Sequence, residues 1–163
     1  MAARHQHQDA GRPAGVTSRP MPDIALAGSL FDSLRETTAD GEGVTRESYG
    51  PGENVAHIIV REAAETAGLE TAIDTAGNLY MTLRGAAPGP AVFVGSHLDS
   101  VPRGGNFDGA AGVLCGLAVA AGFVAAGVRP PQDLTVIAIR AEESTWFGAS
   151  YIGSRAAFGW LEA

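Results

Sequence analysis

The sequence predicts an α/β protein, a three-layer sandwich in which a largely parallel sheet is flanked by helices. A short apolar run, "PAVFVG" at 90–95, is bounded by Pro and Gly, which is typical of a strand covered on both faces. A second run, "DLTVIAI" at 133–139, reads as another buried strand. Between them, residues 110–126 are apolar almost all round, as expected of a buried helix. The order strand, helix, strand indicates a βαβ unit.

Two amphipathic helices precede this unit. In the first, from Ile24 to Thr38, apolar residues recur at helical spacing, and the segment "ADGEG" ends it. The second follows the loop "VTRESYGPGE", with Asn54 as its predicted cap, and ends at Gly68. Its predicted buried face consists of Val55, Ile58, Ile59 and Ala63. His57 falls off this face and is interpreted as a solvated surface histidine.

The segment "LETAIDTAGNLYMTLRG" at 69–85 predicts two further strands. Its residues alternate in polarity, and the turn signal from Thr75 to Asn78 favours a tight connection between the two strands. We expect Met81, in the second of these strands, to fill core space, as we do for Cys115 in the buried helix.

The composition limits the classes of function. The chain has 163 residues, enough for one domain with a real core. Its 18 acidic residues outnumber its 11 basic ones, and the formal net charge of -7 argues against nucleic acid or an anionic membrane as partner. Cys115 is the only cysteine, which excludes an intrachain disulfide and fits a cytoplasmic location. No apolar run resembles a membrane span.

Residues 1–22 predict a disordered leader rather than a secretory signal. They lack an apolar core and are rich in Gly, Pro, Arg and His. His5 and His7 within this segment are interpreted as solvated residues and not as metal ligands. The folded domain is therefore expected to cover residues 23–163.

One imidazole and four carboxylates follow the two predicted strands of the βαβ unit. They are His97, Asp99, Asp108, Glu142 and Glu143. Because ligands of open α/β sheets bind beyond the carboxyl ends of the strands, these two clusters should meet in space. So many carboxylates in a partly buried cleft repel one another unless a cation neutralises them. A divalent metal is therefore predicted, with zinc favoured and manganese or cobalt as substitutes.

The positions of these residues suggest different tasks. His97 comes directly after its strand and is a candidate metal ligand, and Asp99 is placed to orient its ring. Asp108 could bridge two metals, cap the following helix, or do both. Glu142 and Glu143 are adjacent, so on extended backbone one could bind metal while the other faces the substrate.

Two stretches of the sequence carry a family resemblance. "GSHLDSVPRGGNFDGAAGVLCGLAVA" followed by "RAEESTWFGASYIGSRA" resembles the zinc-dependent amidase, hydantoinase and carbamoylase family. That family includes N-carbamoyl-L-amino acid hydrolases, allantoate amidohydrolases and β-ureidopropionases, within the aminoacylase-like metallopeptidases. The upstream "GVTRESYGPGE" and "AGLETAIDTAGNLYMTLRG" look similar to the same family's N-terminal region.

The resemblance implies a set of roles for the five residues. His97 is then a ligand of one metal, Asp99 its orienting partner, and Asp108 the carboxylate that bridges two zinc ions. Glu142 is implied as the general base and Glu143 as a ligand of the second metal. The implied reaction is hydrolysis of a linear amide or ureido C–N bond by a metal-bridging water. Gly109 stands where peptidase-like relatives commonly carry a second acid, which favours the carbamoylase-type branch.

The resemblance also implies features that this sequence does not contain. Family members are longer, with an inserted domain that mediates homodimerisation, and each metal takes a further histidine from beyond the glutamate pair. Here no histidine follows His97, so residues 23–163 are interpreted as the N-terminal part of a di-zinc catalytic domain. Two alternatives to an active carbamoylase stay open: an inactive fragment that acts at most as a binding module, and an aminoacylase- or peptidase-like hydrolase. A cysteine hydrolase using Cys115 is disfavoured because its thiol would lie within the apolar helix.

Overall fold

The computed structural model describes residues 19–161. Its helices are α1 (Ile24–Thr38), α2 (Pro51–Thr66), α3 (Ala110–Ala125) and α4 (Ile152–Ala157). Its strands are β1 (Ala39–Asp40), β2 (Gly43–Val44), β3 (Glu70–Ile73), β4 (Leu79–Leu83), β5 (Val92–His97) and β6 (Leu134–Ile139). Most of the predicted leader lies outside the described residues, as do His5 and His7.

The main sheet has four strands in the order β3-β4-β6-β5. The α/β class with helices against the sheet is confirmed, and β5, α3 and β6 form the predicted parallel βαβ unit. The other two pairings are antiparallel, so the sheet is mixed rather than largely parallel. The reason is the tight turn after β3, where one Asp74 oxygen accepts from the backbone N–H of Ala76 and Asn78 and so forces β4 to run back.

The core lies between one face of this sheet and the helices α1, α2 and α3. Met81 of β4 and Val94 of β5 both pair with Val136 of β6, so all three side chains stand on the same face. Gly116 of α3 packs directly above them, since a Cβ there would lie 3.1 Å from side-chain atoms of Val94 and Val136. The absence of a side chain at Gly116 therefore brings α3 close to the sheet.

Strand β5 is less covered than the sequence predicts. Its residues Val92, Phe93 and Val94 are 53%, 59% and 38% exposed, so the prediction of a strand covered on both faces is wrong. The cause is the strand order, because β6 inserts between β4 and β5 and leaves β5 at the edge of the sheet.

Helix α2 presents a different face to the core from the one predicted. It begins at Pro51 with Gly50 as its N-cap, not at Asn54. Its buried positions are Glu53, Ala56, His57, Val60 and Ala64. The interpretation of His57 as a solvated histidine is wrong, because only 6% of it is exposed, whereas Ile58 is 45% exposed.

Helix α3 agrees with its prediction in extent, but it is buried on one side and not all round. Val113, Leu114 and Leu117 are fully buried, while Cys115 points outward and is exposed, so its assignment to the core is wrong. Among residues 19–161, none of the helices has the length and apolar character needed to cross a bilayer.

Candidate metal centre

The two polar clusters leave the sheet at one edge. His97 is the last residue of β5 and pairs with Ile139, the last residue of β6. Glu142 and Glu143 follow three and four residues after Ile139. Because β5 and β6 are parallel neighbours, the chain carries both clusters into the same space, as the sequence predicts.

Three of the candidate residues converge closely. One ligand atom each from His97, Glu142 and Glu143 lies within 4.8 Å of the other two. The His97 Nε2 is 3.6 Å from Glu142 Oε2 and 3.9 Å from Asp108 Oδ1. Asp108 stands at the margin of this cluster, with 59% of its side chain exposed.

Asp99 joins the two clusters. It is fully buried, and its Oδ1 lies 3.2 Å from His97 Nδ1 and accepts the backbone N–H of Glu142 at 3.1 Å. Its Oδ2 accepts the hydroxyl of Ser48 at 2.6 Å and the backbone N–H of Glu143 at 3.0 Å. One carboxylate therefore orients the imidazole and also holds the backbone of the glutamate pair.

These contacts set the protonation preferences of the cluster. Burial raises the pKa of Asp99, but hydrogen bonds from His97, Ser48 and the two glutamate N–H groups outweigh it and bring that pKa to about 2. Burial lowers the pKa of His97, and the hydrogen bond to Asp99 with the charge of Glu142 more than reverses this and raises it. Burial, followed by the charge of Glu142, raises the pKa of Glu143. The cluster thus attracts positive charge.

His97 presents its Nε2 to the cluster. Its Nδ1 faces both the carboxylate and the carbonyl oxygen of Asp99, the latter at 3.0 Å. Both are acceptors, so the hydrogen-bond geometry assigns the proton to Nδ1 and the lone pair to Nε2. This is the arrangement in which a histidine binds a metal.

The backbone before the glutamate pair is kinked at Ala141. This residue has a φ of 50°, in the left-handed region that non-glycine residues rarely adopt. Its N–H donates to Oε1 of the fully buried Glu53 at 3.0 Å, and its carbonyl accepts from the N–H of Ile152 at 3.1 Å. Oε2 of Glu53 accepts from Arg140 at 3.0 Å. Glu53 therefore holds the kink that directs the glutamates into the site.

The backbone of Gly109 lies directly against the His97 ring. Its φ is 63°, and a Cβ at this position would lie 2.5 Å from His97 Nδ1 and Cε1. Gly109 is also the N-cap of α3, which has no side-chain cap. The capping alternative for Asp108 is therefore wrong, and the glycine is required by a close approach to the imidazole.

Three further residues that support the site were not identified from the sequence: Arg46, Ser48 and Glu53. All three lie in the segment read as a loop, although Glu53 belongs to the first turn of α2. Their hydrogen-bond partners lie 51 or more positions away in the chain, apart from the contact of Glu53 with Tyr49, so no local periodicity reveals them. The φ that makes Gly109 necessary is likewise a property of the folded backbone.

The donor set fits a divalent cation. An imidazole nitrogen with a free lone pair and carboxylate oxygens from two adjacent glutamates are ligands that zinc, manganese and related metals accept. The raised pKa values of His97 and Glu143 agree with a site that lacks intrinsic positive charge among its own side chains.

Comparison with known proteins identifies the family. Residues 78–161, just over half of the chain, match peptidase family M28, and the chain belongs to this family. The chain is 39% identical over 127 residues to an N-carbamoyl-L-amino-acid amidohydrolase from Paenarthrobacter aurescens, which covers 77% of this chain and 31% of that relative. It is 36% identical over 118 residues to a ureidoglycolate hydrolase from Arabidopsis thaliana, covering 72% of this chain and 25% of that relative.

Solved structures agree with these relatives. A crystal structure of a hydantoinase/carbamoylase family amidase from Burkholderia ambifaria matches with a TM-score of 0.73 and 31% identity. The match covers 83% of this chain and 34% of that one. The chain thus spans about a third or less of the length of the relatives it matches. The resemblance to the carbamoylase group found in the sequence is confirmed.

Proposed function

We propose that this chain supplies part of the active site of a metal-dependent hydrolase of linear amide or ureido C–N bonds, of the N-carbamoyl-L-amino acid hydrolase or allantoate amidohydrolase type. The observation that carries the proposal is the convergence of His97, Glu142 and Glu143 within 4.8 Å, with Asp99 bonded to all three. The names of the relatives give the reaction class.

The proposed metal is zinc, two ions per complete site, with manganese or cobalt as substitutes. His97 and Glu143 would each be a ligand of one metal, and Asp108 would be a ligand common to both. When bound, the metal would supply a water activated near neutral pH and positive charge for the developing oxyanion. The mixture of one imidazole with carboxylates and no thiolate supports zinc over softer metals.

The remaining chemistry belongs to the side chains of the chain. Glu142 would accept the proton of the attacking water, since its carboxylate is half-buried and 3.6 Å from the metal-facing nitrogen of His97. Asp99 would keep the proton of His97 on Nδ1 throughout. Neither role requires a covalent intermediate, so Ser96, Ser100 and Cys115 are not needed as nucleophiles.

The proposed substrate is a small N-carbamoyl amino acid or a related ureido acid. Hydrolysis of an N-carbamoyl amino acid would consume one water and yield the amino acid, ammonia and carbon dioxide. The net charge of -7 disfavours nucleic acid and anionic membrane surfaces as partners. A homodimer and a cytoplasmic location are proposed on the family resemblance and the single cysteine.

The test is ammonia release from N-carbamoyl-L-amino acids and from allantoate by the full chain in zinc-containing buffer. Glu142→Gln removes the proposed base while keeping the side chain's size. Glu62→Gln is the matched control, because Glu62 is exposed on α2 and outside the candidate site. We expect release by the wild type and the control, and a loss of about 100-fold or more in Glu142→Gln, in line with the contribution of a general base.

The other outcomes separate the alternatives. Zinc uptake without ammonia release from any ureido substrate would contradict hydrolysis by this chain and favour a binding module. Release of amino acids from N-acyl amino acids or dipeptides, with carbamoyl compounds untouched, would favour the aminoacylase- or peptidase-like alternative.

A further inference from the structure

Arg46 is a buried cation that the proposed reaction does not use. It lies between β2 and α2, and none of its surface is exposed. Its backbone N–H donates to the Ser100 hydroxyl at 3.0 Å, and its carbonyl accepts the Ser100 N–H at 2.9 Å. Arg46 is thereby tied to the loop that runs from β5 to α3 and carries Asp99 and Asp108.

The guanidinium of Arg46 donates hydrogen bonds to both ends of this loop. Nε donates to the carbonyl of Leu98 next to His97. Nη1 donates to the side-chain oxygen of Asn106 at 3.3 Å, and Nη2 to the carbonyl of Asp108 at 3.3 Å. The fork therefore sets the distance between the start of the loop and Asp108.

The partners of Arg46 are all uncharged oxygens. Within residues 19–161, no carboxylate oxygen lies within 4.0 Å of its guanidinium nitrogens. Burial lowers the pKa of Arg46, and the nearby charges of Asp99 and Asp108 oppose that change without pairing with it. A buried arginine ordinarily pairs with a carboxylate, so this arrangement leaves the acidic side chains available to another cation.

A lysine could not replace this geometry. The guanidinium offers five N–H groups in a rigid plane, which suits acceptors at separate points along a loop. A lysine ammonium is a single point with three donors, so it would reach one end of the loop and release the other.

We propose that Arg46 is a positioning residue of the metal centre, whose guanidinium fixes Asp108 and His97 relative to each other without pairing with the carboxylates of Asp108, Glu142 and Glu143, which stay available to a divalent cation. The inference rests on the proposed function, because it presumes that the cluster binds metal. It adds a residue, Arg46, whose contribution acts only through the loop that it holds.

The experiment is a Co²⁺ titration of the full chain, followed by visible absorption, which reports both affinity and ligand geometry. Arg46→Lys keeps the charge and removes the fork. We expect its Co²⁺ affinity to fall about 10- to 100-fold, as for other residues that orient metal ligands, and its absorption band to change in position or intensity. Asn106→Ala removes one acceptor of the fork and should show the same changes at smaller size.

A control separates positioning from a general loss of stability. Val60→Ala creates a cavity in the core on α2, at a fully buried residue outside the loop and the cluster. It should lower the unfolding midpoint yet leave the Co²⁺ affinity and band unchanged. If Arg46→Lys fails to fold, Asn106→Ala decides the question.

The possible failures are distinct. Wild-type affinity and an unchanged band in Arg46→Lys or, where that variant does not fold, in Asn106→Ala would overturn the role of Arg46 while leaving the proposed function standing. A wild-type chain that takes up no Co²⁺ would overturn the proposed function itself, and with it the premise of the inference.

Discussion

The two segments that build the site are anchored by buried groups of opposite charge. The loop after β5 is held by the Arg46 cation, which donates to carbonyl and amide oxygens at both ends of the loop. The segment after β6 is held by two buried anions, Glu53 and Asp99, which accept the backbone N–H groups of residues 141–143. The cation therefore binds the free carbonyl oxygens of its segment, and the anions bind the free N–H groups of theirs.

This difference shows how an acidic site can be assembled before a cation arrives. Backbone groups that leave a sheet edge must find partners, and here charged side chains provide them. The anchors use backbone atoms and the Asn106 amide, so Glu142, Glu143 and Asp108 keep their carboxylates free. Asp99 is the exception, since its carboxylate is taken up by His97 at the end of β5 and by the backbone N–H groups of Glu142 and Glu143.

The largest effect should come from Asp99→Asn, which disturbs contacts to both segments at once, because the Asp99 carboxylate contacts His97 as well as the N–H groups of Glu142 and Glu143. An amide in place of the carboxylate presents one acceptor and one donor to contacts that require two acceptors. We expect a loss of about 3 kcal/mol in the free energy of unfolding, measured with urea. Asp32→Asn, on the exposed side of α1, should change it by less than about 0.5 kcal/mol. Equal stability of the two variants would contradict the linking role of Asp99.

Glu53→Gln should break only the anchor of the glutamate segment. It removes the charge opposite Arg140 and one of the acceptors that serve Ala141 and Tyr49. We expect a loss of about 2 kcal/mol and faster amide hydrogen exchange at Ala141, with exchange at Ser100 little changed. Equal acceleration in both segments would show that the two anchors are not independent.

Acid should lower the free energy of unfolding through His57, which lies next to Glu53 in α2. Its Nε2 is buried, has no hydrogen-bond partner among residues 19–161, and lies 3.9 Å from Glu53 Oε1. Burial and the nearby Arg140, partly opposed by Asp99, lower the pKa of His57 to about 3. The unfolded chain, with a pKa near 6.5, therefore takes up this proton at a higher pH than the folded chain.

The resulting stability is complete above pH 6.5 and declines as the pH falls towards 3. At pH 5 the loss due to His57 should be about 2 kcal/mol. Unfolding free energies of the wild type and His57→Gln, measured from pH 7 to pH 5, check this, because the variant should have a shallower pH dependence. Parallel curves would mean that His57 is protonated in the folded protein.

Gly109→Ala should act on the loop side alone. Placing an alanine in the left-handed region costs about 1 kcal/mol, and its Cβ would also collide with both the ring and the carbonyl oxygen of His97, so His97 must move. We expect zinc affinity to fall about tenfold, measured by competition with a chelating dye. Gly105→Ala is the control, since a Cβ there meets nothing within 4 Å. Equal zinc affinity in both variants would contradict the supporting role of Gly109.

The sequence predicts those features that depend on local pattern. Alternation and apolar runs indicate β3 to β6, and the βαβ unit brings His97 to the same edge as Glu142 and Glu143. Helix α1 is predicted at its observed bounds from its apolar spacing and the segment "ADGEG" that ends it.

The features that escape prediction depend on partners distant in the chain. Arg46 is buried by atoms 52 to 62 positions away, and Glu53 by atoms up to 88 positions away. These distant contacts determine which face of α2 is buried, so Glu53 and His57 lie inside while the larger apolar side chain of Ile58 is exposed. The edge position of β5 likewise results from the insertion of β6, which no single strand sequence encodes.

The most direct test of the metal centre is the zinc content of the full chain after equilibrium dialysis, compared between His97→Gln and the double variant His5→Gln, His7→Gln. We expect the double variant to retain zinc like the wild type and His97→Gln to lose it, because His97 Nε2 faces the carboxylates of the cluster. Zinc retained in His97→Gln and lost in the double variant would contradict this expectation, since the metal would then be bound by the N-terminal segment and not where β5 and β6 end.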